Sequence, residues 1–238
     1  MKIDRKILDG SSMLYLYLPV LLFLFGWTKW WIAIITSTTL LFCVYRMLMD
    51  KLAADDQDDF RLNKIVLLLV VLFFMIVGYF CGWGRWVVQS LDWAKHNTIM
   101  QDLTERSWPV YYRNGEEHSM LTYYIAQYLV PAFAGKIFFF YRLAEIINYV
   151  WAEIGLILVW LHVVKGIGIR NAVKQCFSAG ILVFFSGPLL LAQIMQNLIY
   201  SDLGTALLTD WHWLTTREGI LLQYSNNFAL LRWVYPQV

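Results

Sequence analysis

Hydrophobic positions in this chain fall in long unbroken runs separated by short polar stretches, the pattern of helices surrounded by hydrocarbon rather than of half-buried strands. A bilayer crossing takes about 20 apolar residues, because the hydrocarbon is about 30 Å thick and a helix rises about 1.5 Å per residue. Ser12 to Met49 is apolar except for Thr28, Lys29, Arg46 and scattered hydroxyls, too long for one crossing. Gly26-Trp27-Thr28-Lys29-Trp30 predicts the break between two spans, since Trp27, Trp30 and Trp31 suit an interfacial belt. Ile65 to Phe80 is the cleanest run and predicts a third span; Leu143 to Val164 predicts another. Phe177 to Tyr200 reads as a further helix kinked at Gly187-Pro188, where proline removes a backbone donor. Met120 to Phe140 is apolar but contains Pro131 and Gly135, and is read as a span, a re-entrant segment or an interfacial one.

The fold class expected is therefore all-α: a polytopic transmembrane helical bundle with short juxtamembrane helices in its outer loops, 83–119 and 201–233. A signal peptide is excluded, because the first run carries Pro19 and bulky rings and a second span follows it directly. Residues 1–238 read as a single transmembrane domain, and the ending at Tyr235-Pro236-Gln237-Val238 suggests the amino-terminal part of a longer membrane protein.

Charge adds orientation. Lys2, Arg5 and Lys6 precede the first span, and Arg46, Lys51, Arg61 and Lys64 lie between the second and third, so both segments and the amino terminus are expected in the cytoplasm. Three crossings then put the chain after Arg85 outside. Beyond that the rule conflicts with itself: Lys136 with Arg142 and Lys165 with Arg170 and Lys174 both read as cytoplasmic, yet one span separates them. The run Asp55, Asp56, Asp58, Asp59 lacks calcium-loop punctuation and reads as a solvated loop.

Composition narrows the classes. With 59% hydrophobic and 15% charged residues, against roughly a quarter charged in soluble domains, an ordinary soluble globule and a disordered chain are both excluded. A net charge of +2 leaves no footprint for nucleic acid. Cys43, Cys81 and Cys176 have no metal or disulfide spacing and read as buried, inert thiols.

The chemistry-bearing stretch lies just outside span three. In a helix over Asp92 to Leu103, Asp92, Lys95, His96 and Ile99 share a face, bringing a carboxylate, an ammonium and an imidazole together at the membrane surface. Such a carboxylate can take a proton from a hydroxyl while the cations hold a phosphate; the same spacing also suits a plain interfacial helix with a local ion pair. Further on, Trp108-Pro109 precedes a tight turn at Asn114-Gly115 and a helix whose Leu121, Tyr124, Gln127 and Tyr128 line one side, suited to a lipid chain and its sugar or to an aromatic belt. Asp210 and His212 stand two apart in the later outer segment, as acceptor contacts or loop anchors. Glu145 and Glu153 lie within a span, where a charge costs about 2.5–3.5 kcal/mol, and must face protein or water; with Asn148 they mark a polar seam. His162 reads as interfacial, and Gly155, Gly166 and Gly168 form no nucleotide fingerprint.

An odd span leading to an outer loop with Asp92 near the membrane, Lys95-His96, Trp108-Pro109 and an apolar Leu121-Thr122-Tyr123-Tyr124 helix ending in Gly135-Lys136 resembles the beginning of the GT-C superfamily of polyprenyl-phosphate-dependent membrane glycosyltransferases. The similarity covers Arg85 to Arg142. It implies Asp92 as the catalytic base and Lys95 and His96 in phosphate or acceptor contact; Tyr124, Asp210 and His212, read from their own positions, are the further candidate substrate contacts. The implied partners are membrane lipid, a polyprenyl-phosphate-linked sugar and a glycan acceptor, in the cell envelope at a bacterial plasma membrane. A divalent cation stays open as a cofactor, although the loop has no DxD pair, and many superfamily members carry this pattern after their first span rather than their third. A transporter or flippase built on Glu145, Glu153 and the Gly187-Pro188 break, and a non-catalytic membrane subunit, are the competing functions.

Overall fold

The computed structural model describes residues 2–53, 60–87, 89, 92–114, 116–185, 213–215, 221–223 and 227–233. It is all-α apart from three two-stranded ribbons. Among the described residues, four helices are long and apolar enough to cross a membrane: α1 (Arg5–Trp27), α2 (Trp30–Ala53), α3 (Lys64–Cys81) and α6 (Tyr141–Ile167). The chain is a membrane protein. Between α3 and α6 come α4 (Asp92–Glu105), a β-hairpin (Tyr111–Asn114 with Glu117–Met120) and α5 (Ala126–Ile137); α7 (Ala172–Phe184) and α8 (Asn227–Trp233) follow.

The break expected between the first two spans is present, with Thr28 capping α1 by its backbone N–H to Leu24. The first span starts seven residues earlier than its apolar run: Asp4 accepts a hydrogen bond from Lys6 N–H and starts the helix at Arg5, so polar residues at the membrane edge complete its length. Asn63 caps α3 in the same way, and Gly82, with φ +88°, ends it in a left-handed turn. Antiparallel packing gives the bundle two ends. At the near end Lys165 lies 3.9 Å from Asp9, His162 Nε2 shares a 2.8 Å bond with Ser12, and Gln175 donates to the Arg61 carbonyl. At the far end Arg142 donates to the Gly84 carbonyl, and Trp27 packs on Trp108 at 5.3 Å.

Met120 to Phe140 does not cross. Met120 ends the hairpin, and only twelve residues form α5, about 18 Å of helix against about 30 Å of hydrocarbon. It is a short helix packed antiparallel along α6. Gly135 meets Ala144 and Thr104 at its outer end, where an added Cβ would stand 2.8 Å from the Ala144 methyl; deeper, Gln127 reaches the hydroxyl of Tyr15, whose ring stacks on Trp151 at 4.2 Å. Lys136 and Arg142 thus lie at the far end and Lys165 at the near one, which removes the conflict in the charge pattern.

The last apolar helix starts at Ala172, five residues before the predicted Phe177, with Asn171 as its cap. The expected kink at Gly187-Pro188 and the acidic run 55–59 lie outside the described residues. The thiols correct one expectation: Cys81 is buried and Cys176 half-buried, but Cys43 is exposed on α2, because that helix presents most of its apolar side chains outward.

Candidate functional site at the far end of the bundle

Asp92 opens α4, half-buried in its first turn, where the helix dipole favours a carboxylate. One turn on, Lys95 is exposed, its ammonium 5.0 Å from the centre of the Tyr123 ring. The hydrogen bond to Tyr123 and, to a lesser degree, the Asp92 charge hold this lysine above its ordinary pKa, so it stays cationic.

His96 does not share that exposed edge. It is 2% exposed, with Nδ1 bonded at 2.8 Å to the hydroxyl of buried Tyr128 and its ring edge-on to Trp93. The four-residue face predicted for Asp92, Lys95, His96 and Ile99 is therefore divided: α4 packs on α5, and His96 and Ile99 turn inward with Leu103 while Lys95 turns out. Burial, reinforced by Tyr123, pushes the Tyr128 hydroxyl well above the usual phenol range and keeps it a neutral partner. Tyr124 precedes α5 rather than lying on it, and is exposed with its ring edge-on to Tyr123, so the side expected for Leu121, Tyr124, Gln127 and Tyr128 is also split. Asp210 and His212 lie outside the described residues.

The segment carrying Asp92 is folded back on the end of α3. Gln89 donates to the Gly82 carbonyl and accepts from Asn97, both at 2.7 Å, while the Tyr141 hydroxyl donates to the Asn97 carbonyl. On the other flank, Tyr112 donates to Asp102 at 2.6 Å and Arg106 pairs with the same carboxylate. Trp83 and Trp93 donate to the carbonyls of Leu231 and Arg232, fastening α8 to this end.

Comparison with protein-family models, curated proteins and solved structures finds no match. The site's own chemistry carries the argument.

The two intramembrane acids singled out in the sequence meet different surroundings, and the arginine partners of the first were not foreseen. Arg85 and Arg142 converge on Glu145, at 3.3 and 2.5 Å, so this intramembrane acid is neutralised; the three-residue spacing of Arg142 and Glu145 on α6 was the available signal. Glu153 is different. It is 6% exposed, and among the described residues neither carboxylate oxygen has a hydrogen-bond partner. Glu145, Asn148, Tyr149, Ala152 and Glu153 are all buried on one side of α6, the polar seam expected there. Among the described residues no group of three or more His, Cys, Asp or Glu side chains is placed to hold a metal ion.

Proposed function

We propose that this protein is a membrane glycosyltransferase moving a sugar from a polyprenyl-phosphate donor to a hydroxyl acceptor at the non-cytoplasmic face. The observation that carries the reading is the placement of Asp92 and Lys95 one turn apart at the start of α4, in the segment that follows the third span, with Lys95 exposed and held by Tyr123. A base and a cation at the water–lipid boundary are the groups this reaction needs. The acceptor oxygen attacks the anomeric carbon, the carbon–oxygen bond to phosphate breaks, and polyprenyl phosphate leaves with the bonding pair. Asp92 takes the hydroxyl proton, and Lys95 offsets charge growing on the phosphate. His96, locked to Tyr128, holds α4 against α5 and sets the position of both groups.

Orientation supports the same reading. Lys6, Arg61, Lys64, Lys165, Arg170 and Lys174 belong to the near end, and the positive-inside rule reads such an end as cytoplasmic, with the Asp92 end then outer. The test is transfer from a panel of radiolabelled polyprenyl-phosphate sugars by membranes containing the full chain. Asp92→Asn is expected to lower turnover by about 10²–10⁴-fold, the usual worth of a general base. Unchanged turnover in a folded variant removes the assignment.

A transporter is favoured by one observation, the partnerless carboxylate of Glu153 inside a span. Vesicle uptake that survives Asp92→Asn but fails with Glu153→Gln selects that reading instead.

A further inference from the structure

The turn leaving α3 has three successive departures from ordinary backbone: Gly82 at φ +88°, Gly84 at +77° and Arg85 at +57°. Arg85 is not glycine, and a side chain in that region carries strain that the surroundings must hold. The result is a raised guanidinium at the far end, facing the first turn of α6. There, Glu145 receives Arg85 Nη1 on one oxygen and Arg142 Nη1 on the other, while Arg142 also donates to the Gly84 carbonyl. The carboxylate side chain is 4% exposed, whereas those of Arg85 and Arg142 are 57% and 35% exposed.

Among the described residues, the ion pairs of this cluster set two fixed positive charges against one negative charge, a balance of +1. Like charges are held close only where something offsets them, and one buried carboxylate offsets half. Each guanidinium is a rigid fork of five donors, of which the bonds described use one nitrogen, and both side chains remain partly open to the surface. Neighbouring rings set the depth: Trp86, itself exposed, lies 5.8 Å from the Arg142 guanidinium and packs edge-on against Tyr149 at 4.6 Å. Such a ring belongs at the water–lipid boundary.

We propose that Arg85 and Arg142, oriented by Glu145, form a receptor for a phosphomonoester headgroup at the far-end membrane boundary. A phosphate supplies the missing negative charge and three acceptor oxygens for the two forks. The inference rests on the transferase reading, in which the leaving group is a lipid phosphate, and extends it by assigning residues to that group. Gln89, bonded to both Gly82 and Asn97, folds the receptor and the start of α4 around one turn.

The experiment is equilibrium binding of a fluorescent polyprenyl monophosphate to the full chain in phosphatidylcholine nanodiscs, with the uncharged polyprenol as comparison. Wild type is expected to prefer the phosphate by about ten-fold or more, and Arg85→Gln to lose that preference while Arg85→Lys keeps part of it. Displacement by inorganic phosphate shows that the headgroup alone suffices; binding that resists inorganic phosphate shows that the lipid tail contributes. Equal affinity of wild type for phosphate and polyprenol overturns the proposal without recourse to any variant, as does an unchanged preference in folded Arg85→Gln. Phosphate-dependent binding without sugar transfer would keep the receptor and remove the transferase reading. Transfer with binding indifferent to Arg85 would do the reverse.

Discussion

Tyr128 and His96 share a 2.8 Å hydrogen bond that closes α5 onto α4, the helix presenting Asp92. Both side chains are buried, so the bond is shielded from water. Tyr128→Phe keeps the ring but takes the hydroxyl from His96 Nδ1, and is expected to cost about 1–3 kcal/mol of stability. Denaturant unfolding in detergent checks this. A loss below about 0.5 kcal/mol would mean that the bond does not hold the two helices.

Gly78 is where α3 and α6 come closest to the bare acid. A Cβ there would collide with Oε1 of Glu153 and stand 2.7 Å from the Trp83 ring. Gly78→Ala is expected to destabilise by about 1–3 kcal/mol through overpacking. Adding Glu153→Ala should recover only part of the loss, because the tryptophan contact remains. Full recovery or none in the double variant contradicts the geometry.

Glu153 alone makes the opposite prediction. A buried carboxyl group with no hydrogen-bond partner among the described residues opposes folding, so Glu153→Leu should raise the thermal midpoint in detergent. If it lowers the midpoint, the acid has a stabilising partner in the membrane.

The Tyr112–Asp102 pair sets a pH dependence. Burial first, then the hydrogen bond to Asp102 and its charge, push the Tyr112 hydroxyl from 10.0 up to about 12. Its folded value lies above its unfolded one, so the stability it contributes is whole below pH 10.0 and is lost as pH rises towards about 12. Tyr112→Phe should flatten the stability profile in that alkaline window and leave its slope unchanged at neutral pH. Profiles that stay parallel throughout would show that the hydroxyl is not coupled to folding.

Ser107, beside the hairpin, and Gly166, in the last turn of α6, stand at opposite ends of the bundle. Single cysteines at these positions, in a chain whose three native cysteines are replaced by alanine, should react with a membrane-impermeant maleimide from opposite sides. Same-side labelling would refute four crossings with an α5 that does not cross.

Much of the fold was legible because hydrocarbon imposes a length and a composition on anything that crosses it. The break at Thr28-Lys29, the third span and the helix over Asp92 to Leu103 all follow from local rules, and strands Tyr111–Asn114 and Glu117–Met120 pair across the stretch where the tight turn was expected. The site was less legible. Helical spacing put Lys95 and His96 on neighbouring positions, but which of them met water depended on where α5 came to rest.

The sequence by itself determined that this chain is a helical membrane protein, where its spans begin and end to within about two helical turns, and that acids lie inside one of them. Those properties are one-dimensional: run length, charge at the ends and cap residues act on the local backbone. Only the tertiary structure decided that Met120 to Phe140 turns back instead of crossing, that His96 is buried while Lys95 is open, and that Glu145 is neutralised by two arginines while Glu153 stands bare. Each of these depends on contacts between segments far apart in the chain, whose energies no single segment contains.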